Sequence, residues 1–265
     1  MTGVTLTLNL SIPFHVDASQ LGGTLPSQSI TEILQLRLPF IGCSEAILVK
    51  DLFKAEPRTD SRIVIQGDMS NLHGVGSRWS TGELVVEGDV GDVFASQMSG
   101  GMVYLRGNAA NKTAQQMRAG TLQINGHVGD DLGCPLYGRR SGFSGGTIHV
   151  IGNVGNYAGY RMRRGTLMIQ GNCGTYLGCD IVAGTILTTG QIDDGFAVGM
   201  HRGTLIVPDG TPFSSLRFTK PETQRLSIAM LFATEIQTAI PSVADALRLP
   251  ITRSLGDLTC SGRGE

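Results

Sequence analysis

Histidine and cysteine are two of the residue types that could hold a metal ion or act as a nucleophile. No two of them stand at the H-E-x-x-H or C-x-x-C spacing that is typical of zinc sites. The cysteines are odd in number, five in 265 residues, which is atypical of a disulfide-stapled secreted domain. The sequence therefore predicts reduced thiols, a cytoplasmic location, no metal site and no catalytic residue. The residues considered are His15, His73, His127, His149 and His201, with Cys43, Cys134, Cys173, Cys179 and Cys260.

Aspartate and asparagine recur in two regular series, and stacked carboxylates are what a β-helical polysaccharide lyase or hydrolase would use. A catalytic site needs its residues in one or two repeats, whereas these series continue through all of the repeats. We therefore interpret them as turn residues, because Asn and Asp tolerate left-handed backbone angles and bind the local backbone. The first series is Asp68, Asp89, Asn108, His127, Asn153, Asn172 and Gln191, and the second is Asn71, Asp92, Asn111, Asp130, Asn156, Thr175 and Asp194.

Arginines accumulate near one corner of the repeat, where they could bind carboxylates through paired hydrogen bonds. Their spacing predicts one ridge, with two further arginines on an insertion close to it. Two interpretations stay open: a solvated corner, or a docking strip for an acidic partner surface or a polyanionic, glutamate-bearing cofactor tail. The seven residues, which we call the arginine ridge, are Arg118, Arg161, Arg163, Arg164 and Arg202, with Arg139 and Arg140 nearby; His201 lies beside them.

A glycine repeat in the middle of the chain must position all of these residues. Its opening residues are 19 apart, except for a first step of 21 and one later step of 26. We number each coil from its opening residue, so that position 6 is the sixth residue after it and is again a glycine. The coils open at Ser61, Gly82, Gly101, Gly120, Gly146, Gly165 and Gly184, and Gly203 begins an eighth.

Apolar residues at positions 2 and 4 of the first six coils indicate a β-strand. Position 13 is always Gly or Ala, which indicates a tight corner, and a large apolar residue stands three places before each new coil. Coils of about 19 residues with glycine corners are typical of a parallel β-helix, in which the large side chains would stack in the core. The small residues are Gly74, Ala95, Ala114, Gly133, Gly159, Gly178 and Ala197, and the large ones are Trp79, Met98, Met117, Phe143, Met162, Ile181 and Met200.

The predicted fold class is therefore all-β: a right-handed parallel β-helix, a solenoid with capping segments at both ends. We expect the helix over residues 61–210, an N-terminal α/β cap over 1–60 and a C-terminal capping extension over 211–265. The caps are needed because open parallel edges invite aggregation unless they are covered.

Both predicted caps contain candidate elements of their own. The first begins with a strand, followed by a helix over Ser27–Leu36 with Ser27 or Ser29 as N-cap, and a strand over Ala46–Lys50. The second contains a helix around Glu222–Thr238, which Pro241 cannot join.

The coil that opens at Gly120 carries seven extra residues, 135–141, which we call the insertion loop. It must protrude, because the neighbouring coils close without it. Loops on rigid scaffolds often bind partners.

Composition argues against two classes of partner. The 21 basic and 22 acidic residues give a formal net charge of −1, so no global field attracts nucleic acid or an anionic membrane. No apolar run reaches the roughly 18 residues that cross a bilayer. We predict neither a nucleic-acid nor a membrane partner.

The repeat resembles the GXGXG domain, as in Gly-Thr-Ile-His-Val-Ile-Gly-Asn-Val-Gly from Gly146 and Gly-Thr-Leu-Met-Ile-Gln-Gly-Asn-Cys-Gly from Gly165. Nearly the whole chain resembles the C-type subunit of formylmethanofuran dehydrogenase and of its bacterial relative, the formyltransferase/hydrolase complex. The opening Leu6-Thr-Leu8 and the Val-Lys-Asp-Leu-Phe segment from Val49 carry part of this resemblance. The closing Gly-Asp-Leu-Thr-Cys-Ser-Gly-Arg-Gly-Glu from Gly256 carries the rest and separates the chain from the C-terminal domain of glutamate synthase.

The resemblance implies a non-catalytic scaffold subunit beside an amidohydrolase-like subunit and a formyltransferase subunit. That complex would convert formyl adducts of methanofuran, or of a bacterial analogue, to formate, with no cofactor bound directly by this chain. The glutamate chains of such cofactors give the arginine ridge a candidate ligand. The bacterial hydrolase complex is preferred because the terminal segments differ from the archaeal pattern. Three alternatives stay open: the C-type subunit of an archaeal-type dehydrogenase, a stand-alone glutamate synthase-like domain and a polysaccharide-active β-helix.

Overall fold

One ten-stranded sheet carries a strand from every coil of the repeat. The computed structural model describes residues 3–211 and 216–265; residues 1–2 of the predicted N-terminal cap and 212–215 of the predicted C-terminal extension lie outside the described residues. Within the described ranges, none of the helices has the length and apolar character that crossing a bilayer requires.

The N-terminal segment folds against the first coil and extends its sheet. Strand β1 (Val4–Leu8) pairs in parallel with the strand of the first coil, with Val4 opposite Ile63. On its other side β1 pairs in antiparallel fashion with β5 (Phe53–Pro57). Between them lie β2 (Val16–Asp17), a 3₁₀ turn at Leu25–Ser27, α1 (Ile30–Leu34), β3 (Arg37–Pro39), β4 (Ala46–Leu48) and α2 (Val49–Leu52).

Two predicted elements of this segment were partly wrong at their ends. The predicted helix is shorter: Ser29 caps α1, its hydroxyl accepting from the Glu32 N–H while the Glu32 carboxylate accepts from the Ser29 N–H. The chain then leaves the helix to form β3, which pairs with β4. The predicted strand over Ala46–Lys50 stops at Leu48, because the one-turn helix α2 redirects the chain into β5.

Each coil of the repeat contributes one strand, and all of these strands are parallel and in register. Leu122 lies opposite Ile148, for example, and Ile148 lies opposite Leu167. The strands are β6 (Ile63–Gln66), β8 (Glu83–Glu87), β9 (Ser99–Arg106), β10 (Ala119–Ile124), β11 (Thr147–Val150), β12 (Thr166–Ile169), β13 (Thr185–Thr188) and β14 (Thr204–Ile206); the short β7 (Leu72–His73) pairs with β2.

The apolar positions of the coils face inward and form one continuous core with the N-terminal segment. Leu122 and Ile124, at positions 2 and 4, are fully buried, as the strand pattern predicts. All seven large residues that precede the coil openings are also buried, from Trp79 to Met200. The prediction of a stacked core ladder is confirmed.

Position 13 adopts a left-handed backbone in all seven coils. The φ angle is +55° at Ala114 and +72° at Gly159, and the other five residues are similar. A left-handed backbone costs an L-residue roughly 1–2 kcal/mol, and larger side chains would also meet the core. Both effects explain why only Gly and Ala occur there.

The C-terminal segment begins with a strand and not with the predicted helix. Residues Glu222–Gln224 form β15, which pairs with β16 (Ile251–Arg253). Helix α3 (Ser227–Ile236) starts after it, and Pro241 begins α4 (Pro241–Leu247), where a missing N–H is harmless. The two helices pack on the outer face of the sheet, against Met168 and Leu187.

These observations confirm the predicted fold class, a parallel β-helix with about 19 residues per coil. The core is shared between the coils and the N-terminal segment. The boundaries placed after residues 60 and 210 stay predictions.

Candidate docking site

Hydrogen bonds between coils account for the two polar series. At position 7 the Asn108 side chain accepts from the His127 N–H at 2.8 Å, and equivalent bonds continue to Gln191. At position 10 Asn156 accepts from both the N–H and the hydroxyl of Thr175, at 2.9 Å each. All of the series residues are described and none has a positive φ, so the left-handed role predicted for them was wrong. From Asp89 to Asn172 in the first series and from Asp92 to Asn156 in the second, the side chains instead accept from backbone N–H groups of the next coil.

The histidines do not gather at one site, although two of them are hydrogen-bonded to each other. His73 Nδ1 accepts from the Asp92 N–H at 2.9 Å, which leaves its Nε2–H to donate to His15 Nδ1 at 2.8 Å. Burial lowers the pKa of His73 and that of His149. Among the described residues, no group of three or more His, Cys, Asp or Glu side chains is placed to hold a metal ion.

One surface depression has the wrong chemistry for a polysaccharide lyase. It encloses about 770 Å³ beside the last coils and contains the carboxylates of Asp193 and Asp209. Such an enzyme needs Arg or Lys beside its carboxylates, and the described lining residues include neither. The depression gives the polysaccharide-active alternative no support.

Four members of the arginine ridge lie on two neighbouring lines along the solenoid. Arg118 and Arg163 occupy position 17, and Arg164 and Arg202 occupy position 18. Ser144 lies between Arg118 and Arg163, since its N–H donates to Met117 O and the Arg163 N–H donates to Phe143 O. The two arginines are thus two coils, roughly 10 Å, apart. All four side chains are exposed, and no ion pair within the described residues involves them.

The other three arginines of the ridge stand apart from these lines. Arg161 occupies position 15, where its Nε lies 3.4 Å from an Asp180 oxygen and its guanidinium lies 5.0 Å from the Tyr160 ring centre. Arg139 and Arg140 are exposed on the insertion loop. The structure therefore brings four of the predicted residues together, places Arg161 in a separate contact and leaves two on the loop.

The insertion loop protrudes and is held at both ends. At its first residue, the Gln115 side-chain amide donates to Pro135 O at 2.9 Å. After it, the Gly142 N–H donates to Arg161 O at 3.0 Å. At its tip the Arg139 N–H donates to Leu136 O at 2.9 Å, closing a turn in which Gly138 has a φ of +75°. Tyr137 stands at this tip and is fully exposed.

Sequence reasoning missed three tyrosines beside this loop, which we call the tyrosine cluster: Tyr157, Tyr160 and Tyr176. The rings of Tyr157 and Tyr176 stack with centres 5.0 Å apart and planes 7° apart, and Tyr160 meets Tyr157 edge-on at 6.3 Å. Tyr157 and Tyr176 both occupy position 11 of their coils. This repetition at 19 residues was the signal that could have revealed them.

The closing segment of the chain seals the last coil, a role that its motif alone did not reveal. Asp257 is buried, and its carboxylate accepts from the Gly199 N–H at 3.2 Å and pairs with Arg217 at 3.1 Å. A side chain at Gly262 or Gly264 would overlap Met200, which explains both glycines. The Glu265 N–H donates to Gly203 O at 3.0 Å, so the last residues run along the edge of the coil stack.

Arg263 within this closing segment lengthens the line at position 18. Its N–H donates to His201 O at 2.8 Å, just as the position-17 Arg163 N–H donates to the position-16 Phe143 O, so Arg263 lies next in the stack after Arg202. The line thus ends with Arg164, Ala183, Arg202 and Arg263. Three of these four residues are arginines.

Fold and site together define a parallel β-helix protein that carries lines of exposed arginines on its outer surface. No family model and no curated protein matches the chain. Among solved structures, a chain of the formyltransferase/hydrolase complex (FhcABCD) from Methylorubrum extorquens, crystallised in complex with methylofuran, superposes with a TM-score of 0.87. The two chains are 30% identical over 98% of this chain and 97% of the other. This protein therefore belongs to the family of that β-helical chain of the formyltransferase/hydrolase complex.

Proposed function

We propose that this chain is the structural, C-type subunit of a cytoplasmic formyltransferase/hydrolase complex. The proposal is supported chiefly by the end-to-end match, at 30% identity, to a chain of such a complex. The closing Gly-Asp segment and Gly-Arg-Gly-Glu, which resemble the ending of C-type subunits, support the choice among the subunits of the complex.

The proposed role is to hold other subunits in place and not to perform chemistry. The polar series that could have been catalytic are occupied in binding the backbone of the next coil. The partners would be an amidohydrolase-like catalytic subunit and a formyltransferase subunit. The complex would release formate from formyl adducts of a methanofuran-type cofactor. This chain would not hold the reacting end of that cofactor.

The arginine ridge has two candidate ligands within this proposal. Arg118, Arg163, Arg164 and Arg202 are exposed without ion pairs among the described residues, so they could receive carboxylates. These would come from a partner surface or from the glutamate chain of the cofactor. Either ligand would form charge-assisted hydrogen bonds with the guanidinium groups.

Purification from the native cells tests the proposed complex. The tagged chain would be isolated at low salt, and the co-purifying proteins would be identified by mass spectrometry. We expect an amidohydrolase-like subunit and a formyltransferase subunit in stoichiometric amounts. Molybdopterin and iron–sulfur subunits would assign the chain to a dehydrogenase, and recovery of the chain alone would refute a complex.

Charge reversal tests the ridge. We expect Arg163→Glu/Arg164→Glu to weaken either complex assembly or retention of the cofactor. Arg37→Glu/Lys50→Glu is the matched control, because both residues are exposed on the N-terminal segment and change the net charge equally. Wild-type assembly and wild-type cofactor content in the ridge variant would show that the ridge is only a solvated corner.

A further inference from the structure

The insertion loop and the tyrosine cluster form one continuous surface. Gly142, where the loop rejoins the coil, lies against the backbone of Tyr160 and Arg161; a side chain there would meet Tyr160 O at 2.6 Å. Tyr160 contacts Tyr157, which in turn stacks on Tyr176. The surface thus extends from the loop across two further coils.

The loop presents its tip in a fixed conformation. Hydrogen bonds hold Pro135 at the start of the loop and Gly142 after its end. The turn at Leu136–Arg139 is closed by a backbone hydrogen bond of 2.9 Å. A preformed loop loses little conformational entropy when it binds. Tyr137 at the tip is fully exposed and has Arg139 and Arg140 beside it. Tyrosine and arginine are the residue types that most often dominate binding energy at protein interfaces.

The two stacked rings lie at a corner whose left-handed backbone is shared by the neighbouring coils. Tyr157 and Tyr176 have φ angles of +58° and +62°, and Lys112, Asp131 and Gly195, at the same position of other coils, have similar angles. The backbone conformation therefore belongs to the corner and not to the tyrosines. These two coils differ from the others in carrying a pair of stacked rings that remain about 40% exposed. Exposed tyrosine rings of this kind are suited to contact with a partner surface.

The charge of the surface indicates the chemistry of what binds it. Arg139 and Arg140 have no ion pair among the described residues, whereas Arg161 is already paired with Asp180. The exposed Arg163 and Arg164 continue this positive region along the coils. A carboxylate-bearing ligand would complement it, and an extended polyglutamate tail alone would leave the Tyr137 ring without a contact.

We propose that this surface docks a protein subunit that has an apolar pocket for the Tyr137 ring and a rim of carboxylates around it. The inference rests on the proposed function in that the chain works inside a complex. Tyr137 inserts into the pocket, Arg139 and Arg140 pair with the rim, and the tyrosine cluster packs against the adjoining surface.

Variants of the tagged chain within the purified complex test this assignment. Tyr137→Ala changes a fully exposed side chain, so the thermal unfolding of the free chain should stay unchanged. Tyr157→Asn/Tyr176→Asn removes both rings while keeping a residue that tolerates the left-handed backbone. Leu231→Ala, at an exposed apolar residue on α3 far from the loop in the sequence, is the control. The dissociation constant of each complex would be measured by dilution and native mass spectrometry.

We expect both tyrosine variants to weaken retention of one protein subunit about tenfold or more, as loss of an interface anchor does. The control should stay within about twofold of the wild type. Wild-type affinity in both tyrosine variants would overturn the inference and leave the proposed function intact. An equal loss in the control, or loss of cofactor with all subunits retained, would also overturn it. A wild-type chain that recovers no subunit would refute the proposed function, and the inference with it.

Discussion

Backbone conformation and burial together select the residues at position 13 of each coil. The seven left-handed Gly or Ala residues at position 13 lie next to core side chains; a Cβ at Gly159, for instance, would meet Ile186 Cδ1 at 2.8 Å. Where the left-handed backbone faces outward instead, larger residues such as Tyr157 and Arg161 occur. Burial, added to strain, is therefore what restricts position 13 to the smallest side chains.

Substitution at position 13 should destabilise the fold. We expect Ala114→Leu and Gly159→Leu each to lower the free energy of unfolding by more than about 2 kcal/mol, through overpacking of the core and backbone strain. Thermal or urea unfolding would measure the loss. Thr121→Leu, on the exposed side of β10, should change stability by no more than about 0.5 kcal/mol. Unchanged unfolding in both corner variants would contradict the role of the small residues.

Asp257 should make the protein sensitive to acid. Burial alone would raise the pKa of its carboxyl, but hydrogen bonds from Thr259 and Gly199 and the charge of Arg217 together lower it. Because the folded pKa is lower than the unfolded one, the carboxylate stabilises the fold above about pH 4, and this contribution is lost as the pH falls further. We expect Asp257→Asn to cost about 3 kcal/mol at pH 7 and to flatten the acid limb of stability against pH. An unchanged acid limb would show that other carboxylates control it.

At the scale of elements, the coils are joined by two kinds of repeated hydrogen bond. Parallel strands pair across the sheet, and Asn or Asp side chains bind the next coil outside it. Each such side-chain bond contributes about 1 kcal/mol. Since these bonds recur between successive coils, the small contributions add along the solenoid.

Removing one side-chain hydrogen bond of this series should lower the free energy of unfolding by a measurable amount. Asn156→Ala deletes an acceptor used twice by Thr175 and leaves that N–H without its partner. We expect a loss of about 1–2 kcal/mol in denaturant unfolding. Asn156→Asp keeps the acceptor oxygen and is the control, expected to stay close to the wild type. Equal losses in the two variants would argue against the hydrogen bond as the cause.

For the whole molecule, the two ends of the coil stack must be covered, because an open edge of parallel strands can pair with another molecule. At the first coil, β1 and β5 continue the sheet and reverse its direction. At the last coil, residues 262–265 run along β14, and Leu205 N–H donates to Glu265 O. Both ends of the stack are thus covered by segments from outside the repeat.

Removal of residues 262–265 should therefore cause self-association. The truncation exposes the N–H of Leu205 and the carbonyl groups of His201 and Gly203, which form a free parallel edge. We expect concentration-dependent oligomers or aggregates in size-exclusion chromatography with light scattering. Arg263→Ala keeps the backbone and should remain like the wild type. A truncated chain that stays in the wild-type assembly state would show that the edge is protected in another way.

Much of the fold could be predicted from the sequence because every coil of a solenoid repeats the same local sequence pattern. The alternation at positions 2 and 4, the small residue at position 13 and the large residue before each coil are all local patterns, and the structure confirms them. The sequence alone also indicated the family through its repeat and its closing residues. Where local pattern was the only guide, as with the strand over Ala46–Lys50 or the left-handed Asn and Asp, the prediction was partly wrong.

Only the tertiary structure decided which distant segments meet. It placed α3 and α4 on the outer sheet face, Asp257 against Arg217 and Gly199, and the insertion loop beside the tyrosine cluster. These contacts join residues far apart in the chain and do not repeat, so no periodicity in the sequence indicates them. The repeat determines the solenoid because every coil packs between similar coils. The caps and the docking surface instead depend on contacts that are each made once.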